Sequence, residues 1–265
     1  MDRPAPLPRL KGRFPFRLAA TSFLYPASWA ANCRRLAPYV DEIELLFFSS
    51  RSKDDTPPRA EITELAGIAA STPLRYNVHL PIDIRPGSSD RDIRIAAVET
   101  IQRYVDLTRS LDPTTWTLHL PMEPSLSRQG WQANIRDSLS RILAAGYPSR
   151  GFSIETLDYP LHWAADIISD YDLSVCIDIG HLLRYDQPLR ETVAAWRNRI
   201  AIFHLHGVSG GRDHLSLDHL SAETLLSVHQ CLARFCETVS LELFNLADFA
   251  ASAQMLRDLF FKDSP

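Results

Sequence analysis

One apolar segment after another in this chain ends on a side chain that can bind a metal ion. His79 stands in Val78-His79-Leu80-Pro81 and His119 in Leu118-His119-Leu120-Pro121. Glu155, Asp178 with His181, His204 with His206, and Glu242 close four further segments. Their neighbours are Val, Ile, Leu or Phe, so each polar group falls on the face opposite an apolar one. Carboxylates and imidazoles placed this way are costly unless they converge. Oxygen and imidazole donors suit Zn, Mn or Fe, and the absence of a convergent thiol set argues against a structural Cys-type zinc site. With coordination positions left open for water or substrate, such a centre supports metal-assisted hydrolysis or isomerisation.

The elements that must position these groups alternate along the chain. Strands are expected at 16–23, 42–48, 75–81, 116–122, 152–157, 175–180, 200–207 and 238–244, and helices at 27–37, 58–70, 88–110, 128–145, 159–170, 187–197, 221–235 and 246–261. Eight alternations in a domain-sized chain predict a (β/α)8 TIM barrel, whose catalytic groups stand at the C-terminal ends of the strands. A doubly wound open sheet is the alternative, but no GxGxxG or Walker loop is present. Period-two alternation turns Asn77 and His79, Thr117 and His119, Ser153 and Glu155, Cys176, Asp178 and Gly180, and Ser240, Glu242 and Phe244 inward. Val175, Ile177 and Ile179, and Val239, Leu241 and Leu243, then face the helices.

At 265 residues and 45% hydrophobic content, the chain can bury one large core. Residues 1–13, Pro-rich and basic, read as a disordered lead, and 14–265 as a single catalytic domain. A formal charge of -4 argues against a general nucleic-acid binder. Cys33, Cys176, Cys231 and Cys236 lack disulfide-type spacing, so reduced thiols and a cytoplasmic location are expected, with Cys176 a buried inert thiol. No stretch approaches the ~20 apolar residues of a membrane span.

The ligand-type set resembles the xylose isomerase-like barrels, which include sugar-phosphate isomerases and epimerases and the abasic-site endonucleases of AP endonuclease family 2. Glu155, the run Asp178-Ile179-Gly180-His181, His204 and Glu242 look like the shared metal set. His79 and His119 are similar to the endonuclease-like branch, where they imply an additional metal. His181 and His214 look like members of a third-metal group. That branch has an Asp two residues before the histidine matched here by His214, whereas this chain carries Arg212, with Asp213 adjacent. A fixed cation in place of an anionic ligand leaves two ions as the working number and three as the upper bound. The text Thr21-Ser22-Phe23-Leu24-Tyr25-Pro26, followed by the run from Asn32 to Leu45, is similar to the cobamide-remodelling phosphodiesterases, which cleave the nucleotide loop of vitamin B12-type corrinoids.

The resemblance implies a metal-dependent hydrolase acting on a small molecule, a corrinoid or a sugar phosphate, with Glu155, Glu242 and Asp178 as the catalytic carboxylates. Isomerisation or epimerisation of a sugar on one ion is the alternative, abasic-site cleavage the next, and a barrel that binds without turnover the last. His206, Arg212, Tyr25, Trp29 and Arg51 are candidate substrate contacts, with Lys53 beside Arg51. His206 shares the inward parity of His204 and reads equally as ligand, substrate contact or loop polarity. Tyr25 and Trp29 could lie against a flat ligand or serve as packing anchors. Glu44 has inward parity, and a structural hydrogen bond fits it as well as chemistry does. Gly210-Gly211 reads as a mobile loop or a simple turn. His162, His219 and His229 fall on helices, as ordinary surface or partly buried residues.

Overall fold

Eight parallel strands close on themselves in the computed structural model, which describes residues 7–51 and 56–261. They are β1 (Arg17–Thr21), β2 (Glu42–Leu46), β3 (Arg75–His79), β4 (Trp116–Leu118), β5 (Phe152–Glu155), β6 (Ser174–Asp178), β7 (Ile200–Leu205) and, after a hairpin of β8 (Gly207–Ser209) and β9 (Arg212–Leu215), β10 (Thr238–Leu241). The order around the cylinder is β1-β10-β7-β6-β5-β4-β3-β2. Helices α1 (Trp29–Leu36), α2 (Arg59–Ser71), α3 (Arg91–Thr108), α4 (Arg128–Leu143), α5 (Ala165–Asp170), α6 (Ile179–Arg184), α7 (Leu189–Trp196), α8 (Ala222–Leu232) and α9 (Leu246–Phe261) accompany them. The barrel expected from the alternation is the fold observed.

Burial on both faces explains why the strands are uniformly sequestered. Apolar side chains such as Ile43, Leu45, Val78 and Ile154 face the helices, while the inward positions stay buried although polar. Near the N-terminal end, Glu42 ties three strands together: its Oε1 accepts from Asn77 Nδ2 at 2.8 Å and its Oε2 from Thr238 Oγ1 at 3.0 Å. Side-chain caps start several helices where the sequence places Ser or Asp, at Ser28, Asp90, Ser127 and Ser221.

Four expectations need correction. Strands end two to four residues earlier than expected, because the chain leaves the sheet at the mouth. Ile179 and Gly180, expected in the sixth strand, form the start of α6, since Asp178 Oδ1 accepts from the His181 N–H at 2.7 Å and caps a helix there. The helix expected at 159–170 divides into a 3-10 turn, Leu161–Ala164, and α5. Residues 7–13, expected in a disordered lead, are tied down: Leu10 is buried and its N–H donates to the Tyr39 carbonyl at 3.2 Å, and the Gly12 N–H donates to Asp41 Oδ1 at 2.8 Å. Among the described residues no helix is long and apolar enough to cross a membrane.

Candidate metal centre

His79, Glu155 and Asp178 are the last residues of β3, β5 and β6, His204 lies one residue before the end of β7, and His119 and Glu242 follow β4 and β10 directly. All six therefore reach the same rim. One donor atom each from Glu155, Asp178, His204 and Glu242 lies within 4.8 Å of all the others, and His79, His119 and Glu155 meet the same limit. Glu155 belongs to both sets.

The donor atoms fit cations better than they fit one another. His79 Nδ1 donates to the Leu80 carbonyl at 2.8 Å, so the neutral ring would present the lone pair of Nε2 to Glu155 Oε2, 3.0 Å away. Only a proton or a metal ion reconciles those two atoms. His119 Nε2 approaches the same oxygen at 2.8 Å. On the other side, His204 Nδ1 lies 3.2 Å from Glu242 Oε2 and 3.5 Å from Glu155 Oε1, yet all three atoms are buried without a hydrogen bond because their directions do not match. Orphaned donors facing a common point are what a cation needs and what a core avoids.

Proton affinities carry the same message. Burial pulls the His79 imidazole down, but the hydrogen bond and charge of Glu155, with Glu242 and Glu44 behind it, outweigh that and raise it to about 9. His181, also opposed by burial, is raised to about 11 by Asp178 and Glu155. Burial raises the Glu155 and Glu242 carboxyls, but the neighbouring imidazoles, with His204 acting on both, win and hold each well below the usual range. Four buried carboxylates, Glu44 included, thus demand positive charge, which protons supply in the absence of a metal.

The third histidine group is differently constituted. His181, His206 and His214 offer nitrogens within 4.8 Å of one another, without a carboxylate. Both nitrogens of His206 are engaged: Nε2 faces Asp178 Oδ1 at 3.1 Å, and Nδ1 accepts from the His214 N–H at 3.0 Å. Thus His206 holds Asp178 in place. Gly180 makes room for it, since a Cβ there would lie 1.9 Å from the His206 ring. Arg212 is exposed on the hairpin, and Asp213 pairs with Arg184. No acid occupies the Arg212 position. His214 sits at φ 52, and its Nδ1 donates to the Glu242 carbonyl at 3.1 Å. Gly210 and Gly211, at φ 57 and 75, make the two-residue turn of the β8–β9 hairpin.

The remaining candidates separate from the centre. Trp29 is buried against Phe23 and Phe47, and Tyr25 lies under the Arg35 guanidinium at 4.9 Å. Arg51 is 88% exposed, 4.0 Å from Asp83, and Lys53 lies outside the described residues. His162 and His219 are exposed, and His229 packs on Phe260. Cys176 faces Glu155 and His204, but burial pushes its thiol well up. Parity alone left the role of Glu44 open: it is buried, with Oε2 accepting from Ser240 Oγ and Oε1 turned to His204. A cavity of about 370 Å³ lined by Arg17, Arg75, Arg150 and Arg199 opens at the opposite end of the strands, away from this chemistry.

A closed parallel barrel crowned by carboxylates and imidazoles is the class these features define. A family profile described as "Xylose isomerase-like TIM barrel" matches residues 36–258, and the chain belongs to that family. Among solved structures, it is similar to a D-tagatose 3-epimerase-like protein, at 19% identity over 92% of this chain and 97% of that one with a TM-score of 0.73. The IOLI protein with a binding zinc atom matches at 14% identity over 93% and 99%, TM-score 0.72. Endonuclease IV from Thermus thermophilus matches at 15% identity over 93% and 99%, TM-score 0.71. At these identities the likeness is one of fold. A comparison with curated protein sequences finds no match.

Proposed function

We propose that this protein is a metal-dependent hydrolase that cleaves a phosphoester in the nucleotide loop of cobamides, releasing a cobinamide phosphate for rebuilding with another lower base. Residues 14–265 act as one catalytic unit. The observation that carries this reading is the sharing of Glu155 by two ligand sets, which suits two divalent ions of the Zn, Mn or Fe type and leaves a third set short of a carboxylate. Bound ions supply a water of lowered pKa and neutralise charge developing on a phosphoryl group. The chain's own part is positional. Glu155 would serve both sets, with Asp178, His204 and Glu242 completing the first and His79 and His119 the second. His206 Nε2 and the His181 N–H fix the two oxygens of Asp178.

A one-ion sugar isomerase is the second reading, favoured by the compactness of the Glu155, Asp178, His204 and Glu242 set. There Glu155 and Glu242 would exchange a proton with carbon. Such an enzyme does not need both His79 and His119 as ligands, yet both abut Glu155 Oε2. The hydrolase uses them.

The test is incubation of the metal-loaded chain with adenosylated cobamides, sugar phosphates and abasic DNA, with products identified by mass and metal counted per chain. Cobinamide phosphate and about two ions are expected. Sugar interconversion with about one ion would install the isomerase instead. Glu242→Gln should abolish metal-dependent turnover with the fold intact.

A further inference from the structure

The inward-facing positions do not stop at the level of the metal-type ligands. Two residues beyond Thr21 stands Phe23, two beyond Leu46 stands Phe48, and two beyond Glu242 stands Phe244. Continuing the alternation, these are the next steps above the barrel on β1, β2 and β10, three strands that are neighbours in the cylinder. Their rings touch: Phe23 to Phe48 at 4.9 Å and Phe48 to Phe244 at 5.5 Å between centroids, both edge to face. Trp29 backs Phe23 at 5.7 Å, and at the other end Phe244 reaches His214 at 4.8 Å, which reaches His206 at 4.2 Å. An unbroken arc of rings runs from α1 to the imidazole cluster.

This arc is accessible, and several described polar neighbours are engaged elsewhere. Phe244 is 37% exposed, and Phe23 and Phe48 are half-buried. Of the polar neighbours, Ser49 and Ser50 are bonded to Asp83, and the Asn245 amide to Asp248. Those described groups are taken up by other partners, whereas a flat ring would find phenyl faces and edges. The opposite half of the rim, over β4 to β7, carries His119, His181 and the Arg184–Asp213 pair. One half of the mouth is apolar and the other ionic, and a contiguous apolar patch beside a reactive centre is a binding surface.

We propose that Phe23, Phe48 and Phe244 form a platform for a flat aromatic or conjugated ring carried by the substrate, whose phosphate reaches the ligand crown past His214. This rests on the phosphoester reading above and assigns the apolar part of that substrate to the β10-β1-β2 sector. The ring lies on the phenyl surface while the ester oxygen faces Glu242 and His204, so substrates lacking a flat group lose the platform but keep the phosphate contact.

Binding of 1-naphthyl phosphate, glycerol phosphate and 1-naphthol to the full metal-loaded chain tests this by calorimetry. Naphthyl phosphate should bind at least about ten-fold more tightly than glycerol phosphate. The double variant Phe48→Ala/Phe244→Ala should bring the two within about two-fold, with glycerol phosphate affinity and bound metal unchanged. Phe244→Leu, which keeps apolar bulk, guards against misfolding and should fall between. No preference in the wild type, or a preference that survives both substitutions, overturns the platform. If the phosphates bind only with metal while the variants change nothing, the platform fails and the hydrolase reading stands. If naphthol and naphthyl phosphate bind equally with and without metal, and both are lost in the double variant, the platform stands and the phosphoester reading fails.

Discussion

Glu44 Oε1 lies 3.1 Å from His204 Nε2, and both atoms are buried without a hydrogen bond. An imidazole that offers Nδ1 to a cation keeps its proton on Nε2, and a buried N–H needs an acceptor. Glu44 is the acceptor in reach, its other oxygen already held by Ser240. A small rotation of the ring would complete the bond. Glu44→Ala should therefore weaken zinc or manganese binding by about 10–100-fold, and Glu44→Gln, whose carbonyl can still accept, by clearly less. Calorimetric titration of the metal-stripped chain reads both. Equal affinity in wild type and Glu44→Ala would remove this role.

Sharing of Glu155 gives an asymmetric expectation for metal content. Glu155→Ala removes a donor from both sets and should leave well under one tightly held ion per chain, whereas His119→Ala touches only the second set and should leave about one. Elemental analysis after desalting distinguishes them. An unchanged count of two in Glu155→Ala would show that the sets are independent.

Inward parity along the strands was readable from the sequence, and it brought His79, His119, Glu155, Asp178, His204 and Glu242 to one rim. Past the end of β6 that rule lapsed. Ile179 and Gly180 continue the apolar alternation of β6, but the Asp178 cap turns them into a helix. The β8–β9 hairpin is short and polar, so its only signal was the Gly210-Gly211 turn. Partners for Glu44 and the two-sided bonding of His206 depend on contacts across the barrel, which no local pattern encodes. Tyr25 and Trp29 drew notice as aromatic residues after the first strand, yet Phe23, Phe48 and Phe244, from three separate loops, are the rings that meet at the mouth.

Steric limits at Gly180 supply a stability prediction. An added Cβ would meet the His206 ring at 1.9 Å, and that ring is held by Asp178 and by the His214 N–H. Gly180→Ala should destabilise by about 1–3 kcal/mol. Gly67→Ala in α2, where a Cβ meets nothing within 4 Å, should instead stabilise by about 0.5–1 kcal/mol. Denaturant unfolding of both variants checks the pair. A neutral Gly180→Ala would mean that His206 is free to move.

Proton and metal compete for the same atoms, which fixes the sign of the pH dependence. His79 in the metal-free fold is raised to about 9 by Glu155, against a reference of ~6.5 when unfolded. Its stabilising contribution is therefore complete below ~6.5 and is lost as pH climbs through about 9, since the unfolded chain gives up the proton first. His181, raised to about 11, adds a loss that starts from the same unfolded value and continues to higher pH. Metal binding expels these protons, so metal affinity should rise with pH over the same window. Melting of the metal-free chain should fall by about 5 °C between pH 6.5 and 9.5, a fall that His79→Gln reduces and bound zinc reverses. A melting temperature that holds or climbs across that interval without metal would show that Glu155 does not retain the proton on His79.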